Sequence, residues 1–246
     1  MGNAGRDFVE STKFQNLRGT EEGRDPVQPP LQAKCPADAP IVDLPEPAAA
    51  MPLAAEFLRL VEGRTSVRSY GPGELSQADL AYLLYATQGV KEVVAPSHTL
   101  RTVPSAGARH AFETYVLVNR VADLAAGLYR YLALDRKLAL LDRDAGLPQA
   151  ITDACLRQKF VGASAATFIW VAVVERMTWR YGQRGYRYLY LDAGHVCQNL
   201  YLAAEALGCG ACAVAAFDDN ALNRILKVDG ETQFAIYLAS VGRQPE

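Results

Sequence analysis

The chain has 246 residues, 50% of them hydrophobic and 21% charged, a globular composition long enough for one sizeable core. Its formal net charge of −2 supplies no global drive toward nucleic acid or anionic membrane, so neither is expected as a partner. The longest apolar run, residues 161–174, is shorter than the ~20 residues a bilayer requires and closes on Glu175 and Arg176.

The start of the chain lacks the apolar core of a secretory signal, and Arg6 stands where N-myristoylation would need Ser or Thr. Five cysteines, at 35, 155, 197, 209 and 212, are odd in number and scattered. They fit a reducing cytoplasm better than a disulfide framework.

Residues 1–50 differ from the rest. Eight of the thirteen prolines lie between Pro26 and Pro52, with few aliphatic residues among them. Such a segment cannot bury enough apolar surface to fold alone. It is expected as an extended arm laid over a folded surface, anchored by Phe8, Phe14, Ile41, Val42 and Leu44, with the folded domain occupying 51–246.

The first helix is expected over Leu53 to Glu62, where Leu53, Phe57, Leu58 and Val61 make an apolar stripe and Gly63 a stop. A second begins at Ser76, whose Ser-Gln-Ala-Asp resembles a capping box with Asp in place of Glu; it turns Leu80, Leu83, Leu84 and Thr87 inward. Phe112 to Asn119 reads as a strand, and Gly127 to Leu141 as a hairpin turning near Asp135-Arg136. A helix from Pro148 to Gln158 precedes a fully buried strand over Ala165 to Val174.

Arg176 to Tyr188, rich in arginine and aromatics, is expected as a loop excursion hinged at Gly182 and Gly185. It could be a lid or a stacking patch. Asp192 to Leu207 is the clearest helix, a strand of small residues follows over Cys209 to Ala216, and Asp218 caps a helix carrying Leu222, Ile225 and Leu226. The chain ends on the strand Phe234 to Val241 and then Gly242-Arg243. The order of elements predicts an α+β domain with helices on both faces of a mixed sheet.

Arg64-Thr65-Ser66-Val67-Arg68 is the most suggestive motif. If extended, it points Arg64, Ser66 and Arg68 the same way, and guanidinium forks and hydroxyls suit a phosphate and a polar ring. The plainer reading is a solvated loop with two surface arginines. Pro104-Ser105-Ala106-Gly107-Ala108 is a turn of small residues that would let a flat ligand approach, or simply a tight turn.

Gly208 to Ala213 matches the dinucleotide fingerprint G-x-G-x-x-A, but it follows a helix and enters a strand, the wrong context for one. Cys209 and Cys212 within it form a C-x-x-C, the pattern of a redox disulfide or half a zinc site. With no second C-x-x-C, and with the pair on a strand, they are expected as buried structural thiols. His98, His110 and His195 are too dispersed for a metal site.

Taken together, these segments resemble the FMN-dependent nitroreductase family, and most closely its SagB-type dehydrogenase branch. Residues 64–70 resemble its R-x-S-x-R signature, Pro104 to Ala108 its P-S-A-G-A turn, and Phe112 to Tyr115 the strand that follows. Asp192 to Asn199 is similar to its E-A-G-H-x-x-Q-N helix with Asp replacing Glu. Ala215-Ala216-Phe217-Asp218-Asp219 resembles G-A-F-D-D. Phe8 with Ser11-Thr12-Lys13 resembles the H-x-x-T-K leader without its His, and Ala108 stands where many relatives carry Asn. The likeness spans roughly residues 53 to 243, with the motifs in family order.

The resemblance implies a nitroreductase-like three-layer sandwich, its sheet mostly antiparallel, in an intertwined homodimer with FMN at the subunit interface. It implies that Arg64 and Arg243 hold the FMN phosphate with Thr65, Ser66 and Gly242 beside them, and that Arg68 reaches the pyrimidine end. Pro104, Ser105, Ala106 and Gly107 of the partner subunit would line the flavin, and the backbone of Ala215 and Ala216 would approach its N5 edge. NADH or NADPH is the expected electron donor and a small organic molecule the acceptor. Oxidation of azoline-like substrates, or flavin binding without turnover, are the alternatives.

Overall fold

The computed structural model describes residues 7–8, 11, 16, 29–46, 57–95 and 98–245. Expected features at Met1-Gly2, Arg6, Thr12, Lys13, Phe14 and Leu53, and the arm before residue 29 apart from 7–8, 11 and 16, lie outside them.

In chain order the elements are β1 (Ile41–Asp43), α1 (Phe57–Gly63), α2 (Gln77–Gln88), β2 (Val90–Ala95), β3 (His98–Arg101), β4 (Phe112–Val118), β5 (Gly127–Leu132), β6 (Lys137–Asp142), α3 (Leu147–Ala154), α4 (Phe160–Ala163), β7 (Ala166–Val173), α5 (Val174–Tyr181), α6 (Gly185–Ala206), β8 (Cys209–Val214), α7 (Asp219–Leu226) and β9 (Gln233–Arg243). Seven strands form one sheet in the order β1-β6-β5-β4-β7-β9-β8, and β2 pairs with β3 as a separate hairpin. Every pairing between these strands is antiparallel. The parallel component expected of a mixed sheet is confined to isolated bridges, Ser66 with Ala211 and Leu75 with Val121.

The period-two alternation of the central strands builds two cores. Val116, Val118, Phe168, Trp170 and Ala172 face α2 and α6, together with Leu80, Leu83, Leu84, Leu189, Val196 and Leu200. Tyr115, Leu117, Ile169 and Val171 face the other way onto α3, α4 and α7, with Leu147, Ile151, Val161, Leu222 and Leu226. Residues of both clusters on β4 and β7 explain why those strands read as continuous apolar runs. At α2 the capping box forms in both directions, Ser76 accepting from the Asp79 N–H and Asp79 from the Ser76 N–H, so the shorter Asp suffices.

Three expectations change. Arg176 to Tyr188 is not a loop: it is the end of α5, one 3₁₀ turn and the start of α6. Gly182 does break the helix, at φ +52°, whereas Gly185 is helical, and Leu189 continues the buried phase of Ala193, Val196 and Leu200 back by a turn. The helix expected at 148–158 ends at Ala154, because Leu156 and Arg157 adopt left-handed backbone. β8 ends at Val214, so Ala215 and Ala216 lie just beyond the strand. Composition gave no sign of the β2–β3 hairpin or of β1, which pairs with β6 and so joins residues 41–43 of the arm to the sheet.

Candidate functional site

The segment after α1 crosses the face of the sheet at its β8 edge. Val67 N–H donates to the Ala211 carbonyl at 2.9 Å, and Gly71 N–H to that of Arg243 at 2.9 Å. The crossing is made possible by a registered glycine pair, Gly210 opposite Gly242. A Cβ on Gly210 would lie 2.5 Å from the Val67 side chain, and one on Gly242 would lie 2.9 Å from the Tyr70 ring. Gly242, expected beside a cofactor, therefore makes room for Tyr70, whose hydroxyl donates to the Ser240 carbonyl.

Tyr201 of α6, which the sequence did not single out, organises this edge. Its hydroxyl accepts from the Ala213 N–H at 2.8 Å and lies 3.0 Å from Ser66 Oγ, and the Arg64 guanidinium sits 5.3 Å above its ring. The Tyr201 oxygen accepts from Ala213 and shares one further hydrogen bond with Ser66, in which either hydroxyl can donate. Thr65, Ser66 and Arg68 are exposed and Arg64 half-buried. Burial pushes the Cys212 thiol up while the Arg68 charge draws it down, so the positive field of Arg68 reaches β8.

Arg243 is differently placed. Its guanidinium donates to the carbonyls of Glu74 and Leu207, to Cys209 Sγ and, at 2.6 Å, to Asp79 Oδ2. Cys209 and Cys212 are buried free thiols, as expected.

The Pro104–Ala108 turn is held from the other side. Ser105 Oγ donates to Asp192 Oδ2 at 2.6 Å, Ala106 N–H donates to Asp192 Oδ1 at 3.3 Å, and Ser105 Oγ accepts the His110 N–H at 2.9 Å. Gly107, Ala108 and His110 all adopt positive φ, and a Cβ on Gly107 would strike the Tyr181 hydroxyl of α5. Burial raises the Asp192 carboxyl, opposed by its bond to Ser105. Buried His110 is pushed down to about 3, first by burial and then by Arg101, so it is neutral.

Asp192 and Tyr201 are nine residues apart on α6, which places them ~180° apart around the helix and ~13.5 Å apart along it. Within this chain, then, the Arg64–Arg68 strip and the Pro104–Gly107 turn lie on opposite faces of α6 and do not meet. Ala215 instead borders a cavity of about 670 Å³, walled by Tyr190 and Gly194 of α6, Phe217, Asp219 and Tyr237. Its volume is that of a small-molecule site. Gly194 is an exposed glycine in mid-helix with nothing within 4 Å of where a Cβ would stand.

Comparison with known proteins matches the Nitroreductase family over residues 61–243. A nitroreductase homologue of Methanocaldococcus jannaschii is 38% identical over 184 residues, 74% of this chain and 88% of that protein. The trifolitoxin-processing protein TfxB of Rhizobium leguminosarum bv. trifolii is 34% identical over 148 residues, 56% of this chain but 39% of the longer relative. Among solved structures, a nitroreductase homologue from Anabaena variabilis superposes with a TM-score of 0.70 at 25% identity, covering 85% of this chain and 42% of that one. The chain belongs to the nitroreductase family of oxidoreductases, with relatives in its SagB-type dehydrogenase branch.

Proposed function

We propose that the chain is an FMN-dependent oxidoreductase, working as a homodimer, that takes electrons from NADH or NADPH and passes them to a small organic acceptor. One observation carries this reading: the Arg64–Arg68 strip presents cationic and hydroxyl donors along the same sheet edge that leads to Ala215 and its cavity. Those donors fit a phosphate-bearing, polar-ringed ligand. Bound FMN would supply the redox chemistry, taking two electrons from one substrate and yielding them to the next.

The residues of the chain bind and orient. Arg64 is the principal phosphate anchor, because its ring contact with Tyr201 is compatible with further hydrogen bonds; Thr65 and Ser66 add neutral donors. Arg243, with four donors committed inside the protomer, contributes positive charge and fixes α2 through Asp79. Arg68 brings positive charge to the pyrimidine end, where it favours the reduced, more anionic cofactor. Ala215 and Ala216 offer backbone without bulk at the reactive edge.

Two features support the dimer. The Pro104–Gly107 turn lies across α6 from the strip it should complete, so a second copy has to supply it. α1 leaves Phe57, Leu58 and Val61 70%, 65% and 42% exposed, an apolar stripe with no partner among the described residues. Gly194 fits the same picture: a mid-helix glycine costs about 1 kcal/mol relative to alanine, and nothing among the described residues stands where its Cβ would be.

A second reading, oxidation of azoline-like rings in a peptide, draws support from the likeness to a trifolitoxin-processing protein. Anaerobic addition of NADH or NADPH to the yellow protein separates the two. Bleaching followed by reoxidation with a quinone or nitroaromatic, with parallel steady-state plots, is expected of the first. A flavin untouched by either nicotinamide counts against it and favours the second.

A further inference from the structure

The cavity beside Ala215 has a chemical character that the reading above leaves unused. Four aromatic rings line it: Tyr190 from α6, Phe217 from the segment after β8, and Phe234 and Tyr237 from β9. Among its described lining residues Asp219 is the one carboxylate, and there is no lysine or arginine. The walls are fixed from behind. Trp170 packs against Tyr237 with ring centroids 6.1 Å apart, and Asn223, 5% exposed, accepts the Ala235 N–H at 2.8 Å, which pins α7 to β9.

Asp219 is not the cap of its helix; the neighbouring Asp218 takes that place by accepting the Ala221 N–H. The N-terminus of α7 contributes about half a positive charge, so two carboxylates there leave this side of the cavity net negative. The field reaches across to α6, where the Tyr190 hydroxyl is pushed up first by burial and then by the Asp219 charge. Arg224 of α7, five residues on from Asp219, points ~140° away around the helix. Aromatic rings offer their negative faces to a cation, and a carboxylate beside them adds attraction while repelling an anion. At about 670 Å³ the space exceeds what a bare ammonium group needs and suits a flat fused-ring molecule.

We propose that the cavity admits a flat aromatic molecule bearing a positively charged nitrogen, with Asp219 selecting the charge and Tyr190 covering the ring, and that this cation is the electron acceptor. Its role as acceptor rests on the function proposed above; the charge preference of the cavity does not. Such a ring takes up two electrons and one proton and becomes neutral, while the nicotinamide donor loses a hydride equivalent in the same exchange. Neutralisation removes the attraction to Asp219 and so favours release of the reduced product.

Equilibrium dialysis of the full chain, with the FMN it retains, against one ring in three charge states tests the binding. N-methylquinolinium should bind more tightly than neutral quinoline, and quinoline-2-carboxylate least. Asp219→Asn, at an exposed position, should weaken the cation about threefold to tenfold, leave quinoline unchanged and flatten the salt dependence. Tyr190→Leu, at a second exposed position, should weaken the cation more than quinoline. In turnover, kcat/KM for N-methylphenazinium should fall in Asp219→Asn by the same factor while that for neutral 1,4-naphthoquinone holds. Displacement of the probe by 1-methylnicotinamide, with the phenazinium rate indifferent to Asp219, would make the cation the donor's own oxidised ring and overturn the acceptor assignment. A flavin that neither nicotinamide reduces ends that assignment together with the proposed function, and the dialysis still decides the charge preference. Equal binding of the three charge states, an Asp219→Asn variant indistinguishable from its parent, or a side chain of the N-terminal segment or of a second copy filling the cavity overturns the inference.

Discussion

Tyr201 shows how much of the site depends on one hydroxyl. It satisfies the N–H of Ala213 at the edge of the sheet and orients Ser66 while its ring carries Arg64. Tyr201→Phe keeps the ring contact but leaves the Ala213 amide unpaired, which should cost about 1–2 kcal/mol of stability. FMN retention should fall with it, as read by thermal melts and flavin fluorescence titration; unchanged affinity would place Ser66 outside the flavin site.

His110 gives the pH signature. Its folded value near 3 lies below the ordinary 6.5, so the unfolded chain takes up the proton first. The stability this represents is intact above about pH 6.5 and is lost as pH falls from there toward 3. Urea midpoints should therefore drop on acidification more steeply for the wild type than for His110→Gln. Parallel curves would contradict the burial argument. Neither residue stands out in the sequence: a tyrosine on a long helix and a histidine after a turn acquire their roles from strands brought in from elsewhere.

At the scale of elements, the crossing of residues 66–71 over β8 and β9 depends on Gly210 and Gly242 facing each other across the ladder. Gly242→Ala places a methyl against the Tyr70 ring and should cost about 1–3 kcal/mol, with a loss of flavin affinity because the whole strip lifts. Retained affinity in a fully folded variant would sever the link between the crossing and the site.

Elements with strong internal patterning were legible in advance, among them α2 with its capping box, the β5–β6 hairpin and the buried β7. The Arg176–Tyr188 stretch was not, because its glycines and arginines mimic a loop while Leu189 alone carries the helical phase backward. The candidate site residues along 64–68 stand out as a motif. Their dependence on a glycine pair far along the chain does not, since cross-strand register is invisible to local spacing.

Among the described residues, the Arg64–Arg68 strip and the Pro104–Gly107 turn lie on opposite faces of one helix, and the apolar stripe on α1 is exposed. A dimer joining these surfaces should have flavin retention and association rising together. Leu58→Asp, a charge in that stripe, should yield a folded monomer with weakened FMN binding, as measured by sedimentation equilibrium against bound flavin. A monomeric variant that keeps its flavin would show that one protomer suffices.

The central claim, flavin held by the strip that begins at Arg64, is tested most directly by the visible absorbance spectrum of the purified chain beside that of Arg64→Ala. The wild type should carry stoichiometric FMN. The variant should bind it about tenfold to a hundredfold more weakly, as expected for loss of one charge-assisted phosphate contact of roughly 1.5–3 kcal/mol. A colourless wild type that FMN cannot reconstitute, or a variant as yellow as its parent, would contradict it.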